Sequence, residues 1–108
     1  MNSLFIMAET QQETSTKNYR LPGDQTMKHL AKLGIAEDKP IMYDYWADSC
    51  DKKVLIGVRD NDEKLLVKSE DEYTSPIVKI YKVEGEYLII TENSIYVVSA
   101  DIATRKIS

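Results

Sequence analysis

A nucleophile or a metal site has little to draw on in this chain, which carries one cysteine, Cys50, and one histidine, His29. A thiol becomes a catalytic nucleophile when a neighbouring group lowers its pKa, and a serine needs a histidine to take its proton. Cys50 sits in Ala47-Asp48-Ser49-Cys50-Asp51, which reads as a polar turn with no histidine near it in sequence. His29 lies opposite the apolar stripe of a helical pattern, where a solvated histidine belongs. One thiol cannot build a thiolate metal site, and zinc has too few ligands available. Asp60-Asn61-Asp62-Glu63 has the Asp-x-Asp spacing of a calcium loop but lacks the glycine and the distal glutamate that complete one, so it reads as a hairpin tip. The four glycines are isolated and make no phosphate loop. Acids are plentiful, yet a paired-carboxylate hydrolase needs one whose setting raises its pKa. Asp44, inside an apolar stretch, is the only acid whose position suggests burial, and an outward strand face explains it more simply. The expectation is therefore a non-enzyme with no catalytic residue, no metal and no cofactor.

The aromatic residues carry a different chemistry. Tyr43, Tyr45, Trp46, Tyr73, Tyr81, Tyr87 and Tyr96 lie in or beside strand-like segments. Tyrosine and tryptophan combine an apolar body with a polar handle, which suits core packing, protein interfaces and base stacking. Base stacking also wants a basic groove, and the net charge is −4. The interaction candidates are Tyr43, Tyr45, Trp46 and Tyr81. The partner they suggest is a protein or a second copy of the chain, with single-stranded nucleic acid as the alternative. Compositions of this kind, a polar arm on a compact body without chemistry, are common among viral or phage accessory and virion proteins.

The elements that must position these residues follow from periodicity. At 108 residues the chain is one domain. Residues 1–20 read as a flexible polar arm, with Tyr19 and Leu21 as anchors, and the first six residues as an extension upstream of Met7. The body spans residues 21–102 and residues 103–108 form a short tail, with Ile102, just before it, and Ile107 placed to add an edge strand. Asp24 is a good N-cap, and Met27, Leu30, Ala31 and Ile35 share one face of a helix over about residues 25–33, with Gly34 just past its end. Ile41 to Trp46 alternates as a strand. Val54 to Arg59 is the next, with Gly57 marking a bulge, a bend or a close approach. Lys64 to Lys68 pairs back with Leu65 and Val67 inward. Residues 69–76 are the longest internal break, long enough to cross from one sheet to another.

Ile77 to Ala100 reads as three strands joined by tight turns at Glu84-Gly85 and Glu92-Asn93-Ser94, with Gly85 and Asn93 suited to positive φ. Its last two strands are apolar on both faces, so both faces are covered. The fold expected is mainly β, α+β by content: one short helix, then about six antiparallel strands in meander order, forming a small, partly open barrel or a strongly coiled sheet. A flat sheet crossed by one helix is the alternative. The single cysteine and the absence of a signal-like or membrane-spanning segment suggest a reducing, cytoplasmic setting.

Overall fold

The computed structural model describes residues 20–107; the expected arm, apart from Arg20, lies outside the described residues. Helix α1 (Asp24–Glu37) comes first, then strand β1 (Ile41–Met42) and a short helix α2 (Trp46–Cys50). Seven strands follow: β2 (Leu55–Val58), β3 (Lys64–Ser69), β4 (Glu72–Tyr73), β5 (Ile77–Val83), β6 (Glu86–Thr91), β7 (Ile95–Ser99) and β8 (Ala103–Lys106). They form two four-stranded sheets, ordered β1-β7-β6-β5 and β4-β3-β2-β8.

Both sheets are mixed. β1 runs parallel to β7, pairing Ile41 with Ile95, and β2 runs parallel to β8, pairing Leu55 with Ala103; the remaining pairs are antiparallel. The expected antiparallel meander is present as two separate three-stranded runs, β2-β3-β4 and β5-β6-β7, each extended by a parallel strand into an open sheet, and no barrel closes. Periodicity reports which face a strand buries, not which strand it joins, and both parallel pairs link segments far apart in sequence.

The molecule has three layers. α1 and α2 cover one face of the first sheet, where Leu30 and Trp46 pack on Leu88, Ile90, Ile95 and Val97. The second sheet covers the other face, where Ile56, Leu66, Val54 and Tyr45 pack on Ile89 and Val98. The doubly apolar β6 and β7 are therefore the centre of the fold, with six residues (Leu88, Ile89, Ile90, Ile95, Val97 and Val98) at 1 % exposure or less. Each such side chain contributes roughly 1.5–3 kcal/mol when taken out of water. No described helix is long and apolar enough to cross a membrane.

Local departures from the expected elements have physical causes. α1 runs through Gly34 to Glu37 and ends at Asp38, which takes the left-handed conformation at φ 54°. Gly34 serves packing instead: a Cβ there would lie 3.0 Å from Ile41 Cδ1. The helix buries Thr26 and Leu30, with Leu33 partly buried, and turns Met27 and Ile35 outward; Thr26 donates its hydroxyl to the Glu86 carboxylate, with the Val83 carbonyl 3.3 Å away. The strand expected through Trp46 stops at Met42. A turn follows, closed by the Trp46 amide on the Tyr43 carbonyl, and the segment read as a polar turn is α2. β3 is in the opposite phase from that expected: Leu66 lies across from Ile56 and points between the sheets, so Leu65 and Val67 point outward. At the β5–β6 turn Glu84, not Gly85, has positive φ. The segment read as a tail forms β8, and Glu72–Tyr73 pairs with β3 as β4, leaving residues 74–76 to carry the chain from the second sheet to the first.

Candidate functional site

The four residues singled out as interaction candidates do not lie together. Tyr45 and Trp46 are inside, at 3 % and 7 % exposure, and as α2 begins they enter different cores. Tyr45 packs against Tyr96 between the sheets with ring centroids 5.2 Å apart and planes tilted by 60°, and Lys68 Nζ lies 4.9 Å from its ring centroid. Burial, then the neighbouring Tyr96, Glu72 and Asp44, push its phenol up to about 12. Trp46 donates its indole N–H to the Arg20 carbonyl at 2.7 Å, and the Arg20 guanidinium sits 5.0 Å above its ring. Tyr43 and Tyr81 are exposed, but Tyr43 follows β1 and Tyr81 lies on β5, the opposite edges of the first sheet.

The singular residues are placed just as separately. His29 is exposed on α1 and, with Leu33, Tyr81 and Leu88, lines a shallow cavity of about 390 Å³ between α1 and β5. Cys50 closes α2 against the helix-side core, and burial pushes its thiol up, away from thiolate reactivity. Asp44 is exposed, and its carbonyl accepts from Lys68 Nζ. Among the described residues no three His, Cys, Asp or Glu side chains converge on a possible metal position.

One buried acid went unnoticed in the sequence. Glu86, the first residue of β6, is 5 % exposed. Its carboxylate accepts from the Thr26 hydroxyl, the Gly23 amide at 3.2 Å and the Arg20 guanidinium at 3.1 Å. Burial alone would raise its pKa; these hydrogen bonds and the Arg20 charge outweigh burial and hold it below the usual range. Gly23 is the N-cap of α1 and has no side chain to cap with, so Glu86 serves the helix start from another element. This arrangement is a clamp, with both carboxylate oxygens accepting hydrogen bonds.

Two surfaces are left open. The first is β5, an edge strand of seven residues with Val78 (59 % exposed), Ile80 and Tyr81 all facing solvent. A bulge lies between Ile77 and Lys79, and lysines at 79 and 82 stand on the same strand.

The second is the outer face of the second sheet. Tyr73, Val67, Leu55 and Ala103 stand in one row across β4, β3, β2 and β8, and Leu65, Gly57 and Arg105 in the next. Leu65 is only 2 % exposed, yet it belongs to neither core. Ile107 folds down on this face: a Cβ on Gly57 would lie 2.7 Å from Ile107 Cδ1 and 3.0 Å from Val67 Cγ2. The mid-strand glycine thus marks the close approach of a side chain within regular pairing. Together these residues floor an open groove of about 490 Å³. Arg59 borders it, 3.1 Å from Glu63 and 5.9 Å from the Tyr73 ring, and Arg105 makes no ion pair among the described residues.

The signal for both surfaces was present in the sequence, as Val78, Ile80 and the run Leu65-Leu66-Val67, but which of these the fold leaves uncovered depends on strand order. No protein-family model, curated protein or solved structure matches the chain.

Proposed function

We propose that the protein is a non-enzymatic interaction module that associates with a second copy of itself along β5. The observation that carries this reading is a seven-residue edge strand with three exposed apolar side chains. Edge strands present unpaired N–H and C=O groups, and natural sheets usually blunt long apolar ones. Here the blunting is partial: two lysines and one bulge.

Symmetry narrows the register. Two β5 strands paired antiparallel about a twofold axis form an isologous contact and join two four-stranded sheets into one. Centring the axis between Ile80 and Tyr81 sets Lys79 against Lys82 of the second copy, which repels. Centring it on Ile80 sets Ile80 against its own copy, Lys79 against Tyr81 and Val78 against Lys82, so no like charges are directly opposed. Lys79 Nζ already lies 5.9 Å from the Tyr81 ring within one chain.

The test is solution mass by light scattering at rising concentration. The wild type should reach the mass of two chains, and Ile80→Lys, which sets two lysines face to face, should stay at one. A wild type that is monomeric at millimolar concentration, or an Ile80→Lys dimer as tight as wild type, would sink the proposal. Ile80→Cys in a Cys50→Ala background should crosslink to itself under mild oxidation, since directly opposed strand residues meet disulfide spacing.

A further inference from the structure

We propose that the groove on the outer face of the second sheet binds a small anionic amphiphile, a molecule with one carboxylate-type head and an apolar body. The groove is a different surface from the β5 edge, and the inference stands or falls without the self-association reading.

The floor argues for the apolar body. The outward face of an outer sheet is normally its polar face. Here Leu55, Leu65, Val67 and Ile107 are gathered on it, with Tyr73 at one side. Leu65 is buried there without being part of either core, so this face has an apolar cluster of its own. The volume, about 490 Å³, falls in the range of small-molecule sites.

The charges argue for one anionic head. Arg105 stands opposite Gly57 of β2, and Arg59 lies two residues on from Gly57, just past the end of β2, where its amide donates to the Glu63 carbonyl. The backbones of Arg105 and Arg59 are therefore set toward one end of the groove, with the Arg59 guanidinium reaching back to 5.9 Å from the Tyr73 ring, while Lys68, the third cation on the lining, is held by Asp48 and Glu72. Arg105 is exposed and has no ion-pair partner among the described residues. Arg59 is shared with Glu63, a half-exposed pair of the kind water screens and a competing carboxylate can enter. Glu70, also on the lining, repels an anion from the rest of the rim. Guanidinium groups take a carboxylate through paired N–H donors.

The same geometry disfavours a peptide. The face of a sheet offers side chains, because its backbone hydrogen-bonding groups lie in the sheet plane. A peptide laid across Leu55, Leu65 and Val67 would bury its amides against aliphatic groups without partners. A lone apolar tail has no such groups to satisfy.

Calorimetry on the full chain tests this with three probes, each below its micelle concentration: decanoate, decyltrimethylammonium (the tail with the wrong charge) and acetate (the head without a tail). Decanoate should bind saturably, one per chain, at least about tenfold tighter than either control. Arg105→Gln should weaken it by about tenfold, and Arg59→Gln with Arg105→Gln further. Arg105 is exposed on an edge strand, so the single variant should keep the wild-type circular dichroism. Amide resonances of Leu55, Val67 and Tyr73 should move on titration. Absence of saturable decanoate binding, equal binding of the cationic probe, unchanged affinity in Arg105→Gln, or resonance shifts confined to another surface would each overturn the proposal. So would an acidic peptide that occupies the groove when decanoate does not.

Discussion

At the scale of residues, the side chains with the most altered chemistry hold the fold together. Glu86 is the clearest case, because its folded pKa lies below the ordinary value. Its contribution is complete above the ordinary glutamate range and is lost as the pH falls through the folded value. Glu86→Gln should cost about 2 kcal/mol at neutral pH, since a charged acceptor for three donors becomes a neutral one. The difference from wild type should shrink below about pH 4 in urea titrations. Tyr45 behaves in the opposite sense. Its phenol is pushed up to about 12, so the stability tied to the neutral form is present below about pH 10 and lost as the pH rises through 12. Wild-type stability should therefore decline over that interval, and Tyr45→Phe should remove part of the slope; Tyr96, also raised, keeps the rest. Glu86 was not legible as special in the sequence, and Tyr45 was singled out for an exposed interaction role, not the buried one it has. A glutamate after a turn and a tyrosine in an aromatic run look ordinary until the fold supplies Arg20, Thr26 and Tyr96.

At the scale of elements, α2 shows why local patterning misleads. Ile41 to Trp46 alternates well enough for a strand, but β1 ends after two residues. Beyond them the edge of β7 is closed by a helix. The buried Ser99 amide of β7 donates to Ser49 Oγ at 2.9 Å, and Ser49 in turn donates to the Trp46 carbonyl. A side chain thus does the work of a strand partner, which a buried backbone N–H requires. Ser49→Ala should cost about 2 kcal/mol by leaving that amide unpaired, and should speed its hydrogen exchange more than that of the β6 amides. Lys68 ties the same region to the second sheet, reaching Asp48 at 3.6 Å, Glu72 at 3.5 Å and the Asp44 carbonyl at 3.1 Å. Lys68→Met keeps the stem and removes the charge, and should cost about 1 kcal/mol in denaturant unfolding. The hairpin at Asp60–Glu63 was legible because turn chemistry is local: the Arg59 amide donates to the Glu63 carbonyl, Asp62 takes φ 65°, and Asn61 Oδ1 accepts from the Glu63 amide.

At the scale of the whole molecule, the three-layer packing ranks the apolar residues in a way that hydropathy does not. Ile89→Ala opens a cavity between the two sheets and should cost about 3 kcal/mol, a large share of the stability of a domain this size. Leu65→Ala lies on the groove outside both cores and should cost less, about 2 kcal/mol, in the same urea titrations. The sequence by itself determined that β6 and β7 lie at the centre, because Leu88, Ile89, Ile90, Ile95, Val97 and Val98 leave neither strand a polar face. It also determined that a helix precedes the sheets and that the catalytic residue types are sparse. Only the tertiary structure decided that helices cover one face of those strands and a second sheet the other, that Tyr45 and Trp46 serve separate cores, and that the β5 edge and the Arg105 groove stay open. The reason is physical. Burial on both faces is a property of a strand's own side chains, whereas strand order, parallel pairing and the phase of β3 are set by partners distant in sequence, and those partners decide which apolar side chains are left facing water.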